Sequence, residues 1–306
     1  MEELDRIMQE FKLVSEPKNF DPVEATKRLF SFPIIDCTSE TKNYHSYHLN
    51  RYLITLDELV HLPRNIRVLE IGAPPYGLTL LLKIFLFDDL TATGFEEKKS
   101  DLASHIYNEK MFFNSKDKRF SFEFNIPCFN IESHTWPFDD LSFDLIVCSE
   151  VLEHLALDPM HVFSEANRVL KGDGHFFVTV PNAIGCSNLA RIIRGDQPNS
   201  FPPYRPEGIN LRHNRELTPD ELYELYKAAG FEIESLKTTN VTPPDFSRLN
   251  SKSFMLILSL LSDYSNRKDF IMAMGVKKRK VQDRYPEKHQ LYFEWDIPRL
   301  LQKTGY

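Results

Sequence analysis

Several common features are scarce in this 306-residue sequence. Glycine occurs only 11 times, which does not suit a flexible, repeat-rich or collagen-like chain. The four cysteines, Cys37, Cys128, Cys148 and Cys186, form no C-x-x-C pair. The sequence therefore indicates neither a thiolate zinc site nor a disulfide framework, and a reducing, cytoplasmic setting fits it better.

Long hydrophobic runs are also missing. The most apolar stretches, Leu78–Phe87 and Phe254–Leu261, are much shorter than the roughly 20 residues that a membrane-spanning helix needs. The first residues contain neither the basic region nor the apolar region of a signal peptide. We therefore expect no membrane span and a cytoplasmic protein.

Positive charge is in deficit, with 37 basic and 44 acidic side chains and a formal net charge of −7. This balance argues against a broad electrostatic grip on nucleic acid. Five arginines nevertheless gather in one segment, where they either pair with an anionic substrate or balance nearby acids. They are Arg191, Arg194, Arg205, Arg212 and Arg215.

From about residue 66, short apolar strands alternate with amphipathic helices, which is the pattern of a parallel α/β sheet. Strands are predicted at 67–72, 90–95, 120–124, 143–148, 175–180, 231–238 and 269–276. Helices are predicted at 78–87, from 97 to about 110, at 159–170, from 219 and at 254–262. Thr218 and Pro219 are a good N-cap and first helical residue for the fourth of these helices.

These elements predict three parts of the chain. Residues 1–60 form an N-terminal helical cap, in which the ring-rich stretch Tyr44–Tyr52 is either a lid or a packed helix face. Residues 61–240 form the main domain, with an irregular substrate loop at 183–216. Residues 241–306 form a C-terminal extension that completes the sheet.

A strand, a glycine turn, a helix and a strand ending in an acid are typical of a site for a nucleoside-bearing cofactor. The acid Glu96 lies 24 positions after Gly72, near the expected spacing. Between Gly72 and Gly77 the turn contains Pro74 and Pro75, where a dinucleotide fold has glycines beside a pyrophosphate. This favours a cofactor without phosphates over NAD or FAD, while an ordinary βα turn is the alternative.

Several motifs in order resemble the class I S-adenosylmethionine-dependent methyltransferases over about residues 60–240. They are the segments 129–132, 136–138, 143–155 and 166–174. The segments 70–76 and 210–219 also resemble a bacterial subgroup linked to sugar and cell-surface glycan pathways. The resemblance implies a Rossmann-like, seven-stranded, mostly parallel sheet with helices on both faces.

The resemblance also implies which residues bind S-adenosylmethionine. The turn lies under the methionine part, Glu96 binds the ribose, and Asn130 and Ile131 flank the adenine, where the family more often has Asp in place of Asn130. Residues at the end of the 143–148 strand face the methyl group. The predicted cofactor-binding residues are Glu70, Gly72, Ala73, Gly77, Glu96, Asn130, Ile131 and Cys148.

A cluster of possible metal ligands follows the 143–148 strand. If residues 150–155 form a helical turn, Glu150, Glu153 and His154 share one face at the carboxyl edge of the sheet. Two carboxylates and an imidazole suit Mg²⁺, Mn²⁺ or Fe²⁺. The same three residues are predicted to be catalytic.

The Glu-x-x-Glu-His pattern resembles metal-binding segments of ubiquinone-pathway O-methyltransferases and of small-RNA 3′-end 2′-O-methyltransferases. The latter use a further histidine about sixty residues on, and His213 lies 59 residues after His154. This predicts a four-ligand site of Glu150, Glu153, His154 and His213. The alternatives are that His154 acts as a metal-free general base, or that it is a polar residue at the pocket edge.

The predicted function is S-adenosylmethionine-dependent O-methylation of a hydroxyl on a sugar, glycan or related small molecule, assisted by Mg²⁺ or another divalent ion. Three alternatives remain: 2′-O-methylation of an RNA 3′ end, metal-free methylation with His154 as the base, and a cofactor-binding scaffold without catalysis. The net charge and the lack of an RNA-binding module disfavour a nucleic-acid partner. The oligomeric state is left open.

Overall fold

The computed structural model describes residues 39–94, 105–114, 119–198, 213–241, 252–262, 266–281 and 286. The chain divides into two compact units. The first comprises Met1–Asn130 and Phe143–Val147, and the second comprises Ile131–Ser142 and Cys148–Tyr306.

Helices and strands alternate along much of the described chain. The helices are α1 (Ser39–Leu59), α2 (Gly77–Leu81), α3 (Pro159–Val169), α4 (Cys186–Arg194), α5 (Pro219–Ala228) and α6 (Lys252–Ser262). A π-helical turn, Leu82–Leu86, continues α2, and a 3₁₀ turn covers Leu152–His154. The strands are β1 (Arg67–Ile71), β2 (Asp89–Ala92), β3 (His105–Asn114), β4 (Arg119–Cys128), β5 (Phe143–Ser149), β6 (Leu170–Pro181), β7 (Phe231–Thr239) and β8 (Phe270–Lys277).

Six strands form a mixed sheet in the order β2-β1-β5-β6-β8-β7, and β3 and β4 form a separate two-stranded sheet. Strand β1 runs parallel to β2, with Arg67 opposite Asp89. Strand β8 runs antiparallel to both β6 and β7. The predicted α/β class is confirmed, but the main sheet has six strands in the described residues rather than the predicted seven.

The stretch between β2 and β5 differs most from the prediction. A helix was expected from 97 to about 110, yet His105–Asn114 is a strand that pairs antiparallel with β4 along its whole length. Aromatic and β-branched residues favour strands, and this stretch contains several of them. The helix prediction is therefore wrong for residues 105–110, and residues 95–104 lie outside the described part.

The carboxyl end of β4 lies beside the chain that leaves β2. Gly94 forms a parallel bridge with Cys128, and the Gly94 N–H donates to the carbonyl of Pro127 at 3.1 Å. A seventh strand would extend the β2 edge of the sheet at this place. Within the described residues, the pairing at this place is limited to the single bridge between Gly94 and Cys128.

The first unit buries an unusually apolar helix. Leu78, Leu81, Phe85 and their neighbours through Phe87 are almost fully buried, except for Lys83. A helix that is apolar on all sides must lie inside the protein. This burial fixes the start of α2, and with it the glycine turn that follows β1.

The second unit has an aromatic core. The rings of Phe163, Phe176, Tyr226 and Phe231 pack with centroids 5.1 to 5.7 Å apart. The Tyr226 hydroxyl donates to the carbonyl of Phe176 at 3.0 Å, which satisfies the buried phenol. These contacts join α3, β6, α5 and β7.

The segment predicted as an irregular substrate loop, 183–216, contains a helix. Helix α4 covers Cys186–Arg194 and ends at Gly195, where φ is +82°. The N–H of Ser187 donates to the carboxylate of Asp269 at 2.9 Å, which satisfies a free donor of the first helical turn. Residues 199–212, including Arg205 and Arg212, lie outside the described residues.

No helix within the described ranges is long and apolar enough to cross a bilayer. The predicted boundaries of the cap, main domain and extension stay predictions.

Candidate cofactor turn and metal centre

The predicted cofactor turn is a tight backbone turn in the first unit. Gly72 follows β1 with a φ of +72°, a conformation that glycine adopts without strain. The Ala73 N–H donates to the carbonyl of Thr93 at 2.9 Å, and the Tyr76 N–H donates to the carbonyl of Ala73 at 2.8 Å. The turn is thereby closed on itself and tied to the residues after β2.

Helix α1 packs against this turn. A side chain on Gly77 would collide with the imidazole of His45, so the ring occupies the space that only glycine leaves open. A ring nitrogen of His45 lies 3.3 Å from the Tyr52 hydroxyl, and both side chains are buried. Burial lowers the pKa of His45, which favours the neutral imidazole. At His45 and Tyr52 the structure favours the packed helix face over the lid.

Glu70 is the most unusual residue of the turn. Its side chain is 3% exposed, and among the described residues its Oε2 atom has no hydrogen-bond partner. Burial raises the pKa of this carboxyl to about 8, although the Thr79 hydroxyl opposes the shift. A buried carboxylate that can still accept a hydrogen bond fits a cationic ligand. S-adenosylmethionine has both an ammonium and a sulfonium group. The turn therefore fits the predicted cofactor.

We expect Glu70→Gln to stabilise the ligand-free protein at pH 8. The folded-state pKa is raised, so the wild type loses stability as pH rises from the ordinary value of 4.5 toward about 8, whereas glutamine has no charge to desolvate. Thermal unfolding at several pH values measures this, with the exposed Glu232→Gln as the control. A melting-temperature difference that does not shrink toward pH 4.5 would contradict the prediction.

The structure locates other predicted cofactor residues without testing their roles. Glu96 lies outside the described residues. Asn130 and Ile131 are half-buried and follow Phe129 after the end of β4, and the Ile131 carbonyl accepts a hydrogen bond from the Trp136 indole at 3.3 Å. Their contacts with adenine stay predictions.

Cys148 is fully buried near the end of β5. Burial raises the pKa of its thiol, and the carboxylates of Glu153 and Glu150 raise it further. The thiol is therefore protonated at neutral pH and is not a nucleophile. Its predicted place beside the methyl group stays a prediction.

Three of the four predicted metal ligands come together in the second unit. Ligand atoms of Glu153, His154 and His213 all lie within 4.8 Å of one another. Nε2 of His154 is 3.8 Å from Oε1 of Glu153, which is too long for a direct hydrogen bond. The rings of His154 and His213 have centroids 5.0 Å apart and are nearly perpendicular.

Backbone hydrogen bonds hold the two ligand-bearing segments together. The N–H of Asn214 donates to the carbonyl of Glu153 at 2.7 Å, and that of Arg215 donates to the same carbonyl at 3.2 Å. The Asn214 side-chain amide donates to the carbonyl of His154 at 2.8 Å. Asn214 was not predicted from the sequence, because its role comes from a contact between segments 60 residues apart.

Glu150, the fourth predicted ligand, forms hydrogen bonds with Thr179. Its φ is +56°, its N–H donates to the carbonyl of Thr179 at 2.9 Å, and its Oε1 accepts from the Thr179 hydroxyl at 3.0 Å. The positive φ confines the helical turn to Leu152–His154, so the one-face arrangement expected for residues 150–155 does not form. The group of three does not include Glu150, whose role as a ligand stays a prediction.

The donor set fits a transition-metal ion. Two imidazoles and one carboxylate are a known set for Zn²⁺ and for Fe²⁺, whereas Mg²⁺ prefers oxygen ligands. The side chain of Glu153 is 1% exposed, but those of His154 and His213 are 28% and 29% exposed. The carboxyl end of the group is therefore buried in the protein, whereas its two imidazole rings are partly exposed to solvent.

The stretch that contains the glycine turn and the carboxylate–imidazole group matches a known protein family. The methyltransferase domain family matches residues 44–236, which is more than half of the chain. The chain belongs to this family. The predicted enzyme class, an S-adenosylmethionine-dependent methyltransferase, is confirmed at the level of the family.

Curated relatives match over shorter stretches. A protein of Mycolicibacterium smegmatis named "Probable S-adenosylmethionine-dependent methyltransferase" is 39% identical over 98 residues, 32% of each chain. The ubiquinone biosynthesis O-methyltransferase of Vibrio cholerae is 27% identical over 111 residues, 36% of this chain and 43% of the relative. The chain thus matches less than half the length of these relatives.

Solved structures align over more of the chain at low identity. A Thermotoga maritima protein described as an S-adenosylmethionine-dependent methyltransferase, "possible histamine N-methyltransferase", covers 78% of this chain and 95% of its own, at 21% identity and a TM-score of 0.48. A methyltransferase of Archaeoglobus fulgidus covers 78% and 100%, at 13% identity and a TM-score of 0.48.

Proposed function

We propose that this protein transfers the methyl group of S-adenosylmethionine to a hydroxyl oxygen of a sugar, glycan or related small molecule, and that a divalent ion at Glu153, His154 and His213 assists. The convergence of these three ligands within 4.8 Å is the observation that supports the metal-assisted form. The similarity to the ubiquinone biosynthesis O-methyltransferase supports an oxygen acceptor.

The residues of the cofactor turn would bind S-adenosylmethionine through charge and close backbone approach. The cofactor, when bound, supplies a methyl group on a sulfonium. Glu70 would balance the positive charge of this ligand, and its pKa would then fall because the ionised form gains a partner. Gly72 lets the backbone turn sharply where a side chain would strain it.

The ligand group would bind the ion and leave room for the acceptor. A divalent ion, when bound, lowers the pKa of a hydroxyl and orients it. Glu153 is buried and would supply a carboxylate ligand, while the side chains of His154 and His213 are partly exposed, so an acceptor would reach the ion from their side. The guanidinium of Arg215 pairs with Glu221 at 2.6 Å and that of Arg194 pairs with Asp196 at 3.0 Å, so these two arginines balance nearby acids.

We expect EDTA to lower the turnover of labelled S-adenosylmethionine on a panel of sugar and catechol acceptors. Added Mn²⁺ or Zn²⁺ should restore it more fully than Mg²⁺, because two of the three ligands are nitrogen atoms. Initial rates with each ion measure this.

The control for this experiment is cofactor binding. Calorimetry should give the same affinity for S-adenosylhomocysteine with and without EDTA, since the turn does not use the ligand group. Undiminished turnover in EDTA would remove the ion from the mechanism.

Undiminished turnover in EDTA would favour the metal-free form of the function. In it, His154 accepts the proton of the acceptor hydroxyl, and the carboxylate of Glu153, 3.8 Å from Nε2, stabilises the imidazolium. Both forms use His154, but only the metal-assisted form requires His213.

A further inference from the structure

We propose that Glu216 is a positioning residue that fixes the ring orientation and tautomer of His213. This inference rests on the proposed metal centre and deepens it. Nδ1 of His213 lies 3.0 Å from Oε1 of Glu216, within hydrogen-bond distance. The side chain of Glu216 is fully buried, so water does not compete for this contact.

The contact determines which nitrogen of His213 is available. A carboxylate accepts hydrogen bonds, so the 3.0 Å contact requires an N–H at Nδ1 of His213. Nε2 then has its lone pair free to bind an ion. Without Glu216, both tautomers and both ring orientations become accessible, and only part of the population presents Nε2.

The second carboxylate oxygen of Glu216 also accepts a hydrogen bond. The Asn188 amide donates to Oε2 of Glu216 at 2.9 Å, and the same amide donates to the carbonyl of Asn182 at 3.2 Å. The N–H of Ala183 donates to the carbonyl of Leu217 at 3.0 Å, next to Glu216 in the chain. The two oxygens of Glu216 therefore have different partners, and the carboxylate cannot rotate without breaking one of the bonds.

Glutamine at this position cannot reproduce both bonds. If its oxygen faces His213, its amide group meets the Asn188 amide, donor against donor. If its oxygen faces Asn188, its amide group faces His213 and forces the hydrogen onto Nε2. A substitution of nearly equal size therefore disrupts the positioning, while partners of this kind commonly contribute about 10- to 100-fold to metal affinity.

The test is a titration of the metal-free 306-residue protein with Mn²⁺ alone, in which electron paramagnetic resonance reports the free ion. We expect Glu216→Gln to weaken Mn²⁺ binding about 10- to 100-fold relative to the wild type. Glu224→Gln is the matched control, because Glu224 is another buried glutamate of the same unit and does not belong to the ligand group. It should bind Mn²⁺ as the wild type does.

Thermal unfolding separates positioning from a purely structural role. A structural role predicts a lower melting temperature with unchanged Mn²⁺ affinity of the folded protein, and that result would overturn the proposal. If Glu216→Gln does not fold, Asn188→Ser serves in its place, with a smaller loss of affinity expected because Glu216 remains. Wild-type affinity in that variant would also count against the proposal.

The wild-type titration distinguishes a failure of the positioning role of Glu216 from a failure of the metal centre itself. If the wild type binds Mn²⁺ and Glu216→Gln binds equally well, the positioning role is wrong and the metal centre stands. If the wild type binds no Mn²⁺, the metal centre falls and the positioning role falls with it.

Discussion

Replacing Glu153 with glutamine is expected to lower kcat by at least about 100-fold while leaving the affinity for S-adenosylmethionine nearly unchanged. Glu153 is the buried carboxyl ligand of the group, with its side chain 1% exposed. Glutamine keeps the size of the side chain but removes the charge that would hold an ion or stabilise an imidazolium. His154→Ala should have an equally large effect. Steady-state kinetics and calorimetry measure the two quantities separately.

Two further variants sharpen this prediction. Asp220→Asn changes an exposed acid at the start of α5 and should leave both kcat and cofactor affinity unchanged. Glu150→Gln decides between three and four ligands, because a loss equal to that of Glu153→Gln would make Glu150 a ligand despite its bond with Thr179. Full activity of Glu153→Gln would exclude the assigned site.

Replacing Gly230 with alanine is expected to lower the free energy of unfolding by about 2–5 kcal/mol. Gly230 has a φ of +84°, which costs alanine roughly 1–2 kcal/mol. An added Cβ would also lie 2.5 Å from the carbonyl oxygen of Arg279 and 3.0 Å from that of Lys280. These are backbone atoms that cannot move aside without shifting the chain after β8, and overpacking of this kind costs about 1–3 kcal/mol.

Two other glycines separate the cost of the positive φ from the cost of the collision with backbone atoms. Gly195 has nearly the same φ, +82°, but a Cβ there would meet nothing within 4 Å. Gly195→Ala therefore measures the cost of the backbone conformation alone, roughly 1–2 kcal/mol. Gly172 has open space and no positive φ, so Gly172→Ala should change little. Equal losses at Gly230 and Gly195 in urea unfolding would contradict the predicted collision.

Local patterns predicted the elements whose formation depends on neighbouring residues. The Thr218 N-cap and the proline at the first position of α5 were predicted from the sequence; the structure confirms this helix start and adds a capping box with Glu221. The alternating apolar runs likewise predicted β1, β5 and β8 to within about two residues. The capping contacts of α5 lie within a few positions along the chain, and the residue types of each apolar run already favour a strand before its distant partner is known.

Elements that depend on distant partners escaped prediction. Strand β3 forms because β4 pairs with it, and α4 begins where Asp269 accepts from Ser187, a contact across 82 positions. In the site, the spacing of His154 and His213 was visible, but Asn214 and Glu216 were not. Their roles arise only from hydrogen bonds between separate segments, which no local pattern shows.

The hydrogen bonds from Asn214 and Arg215 to the Glu153–His154 turn also affect the thermodynamics of ligand capture. Closing a chain of 60 residues costs about 3–4 kcal/mol in configurational entropy before any constant is added. In a zinc finger, the ion meets this cost because the empty peptide is unfolded. In this protein the backbone has already closed the loop, so an arriving ion would find a preorganised chelate whose intrinsic affinity is not reduced by a folding step.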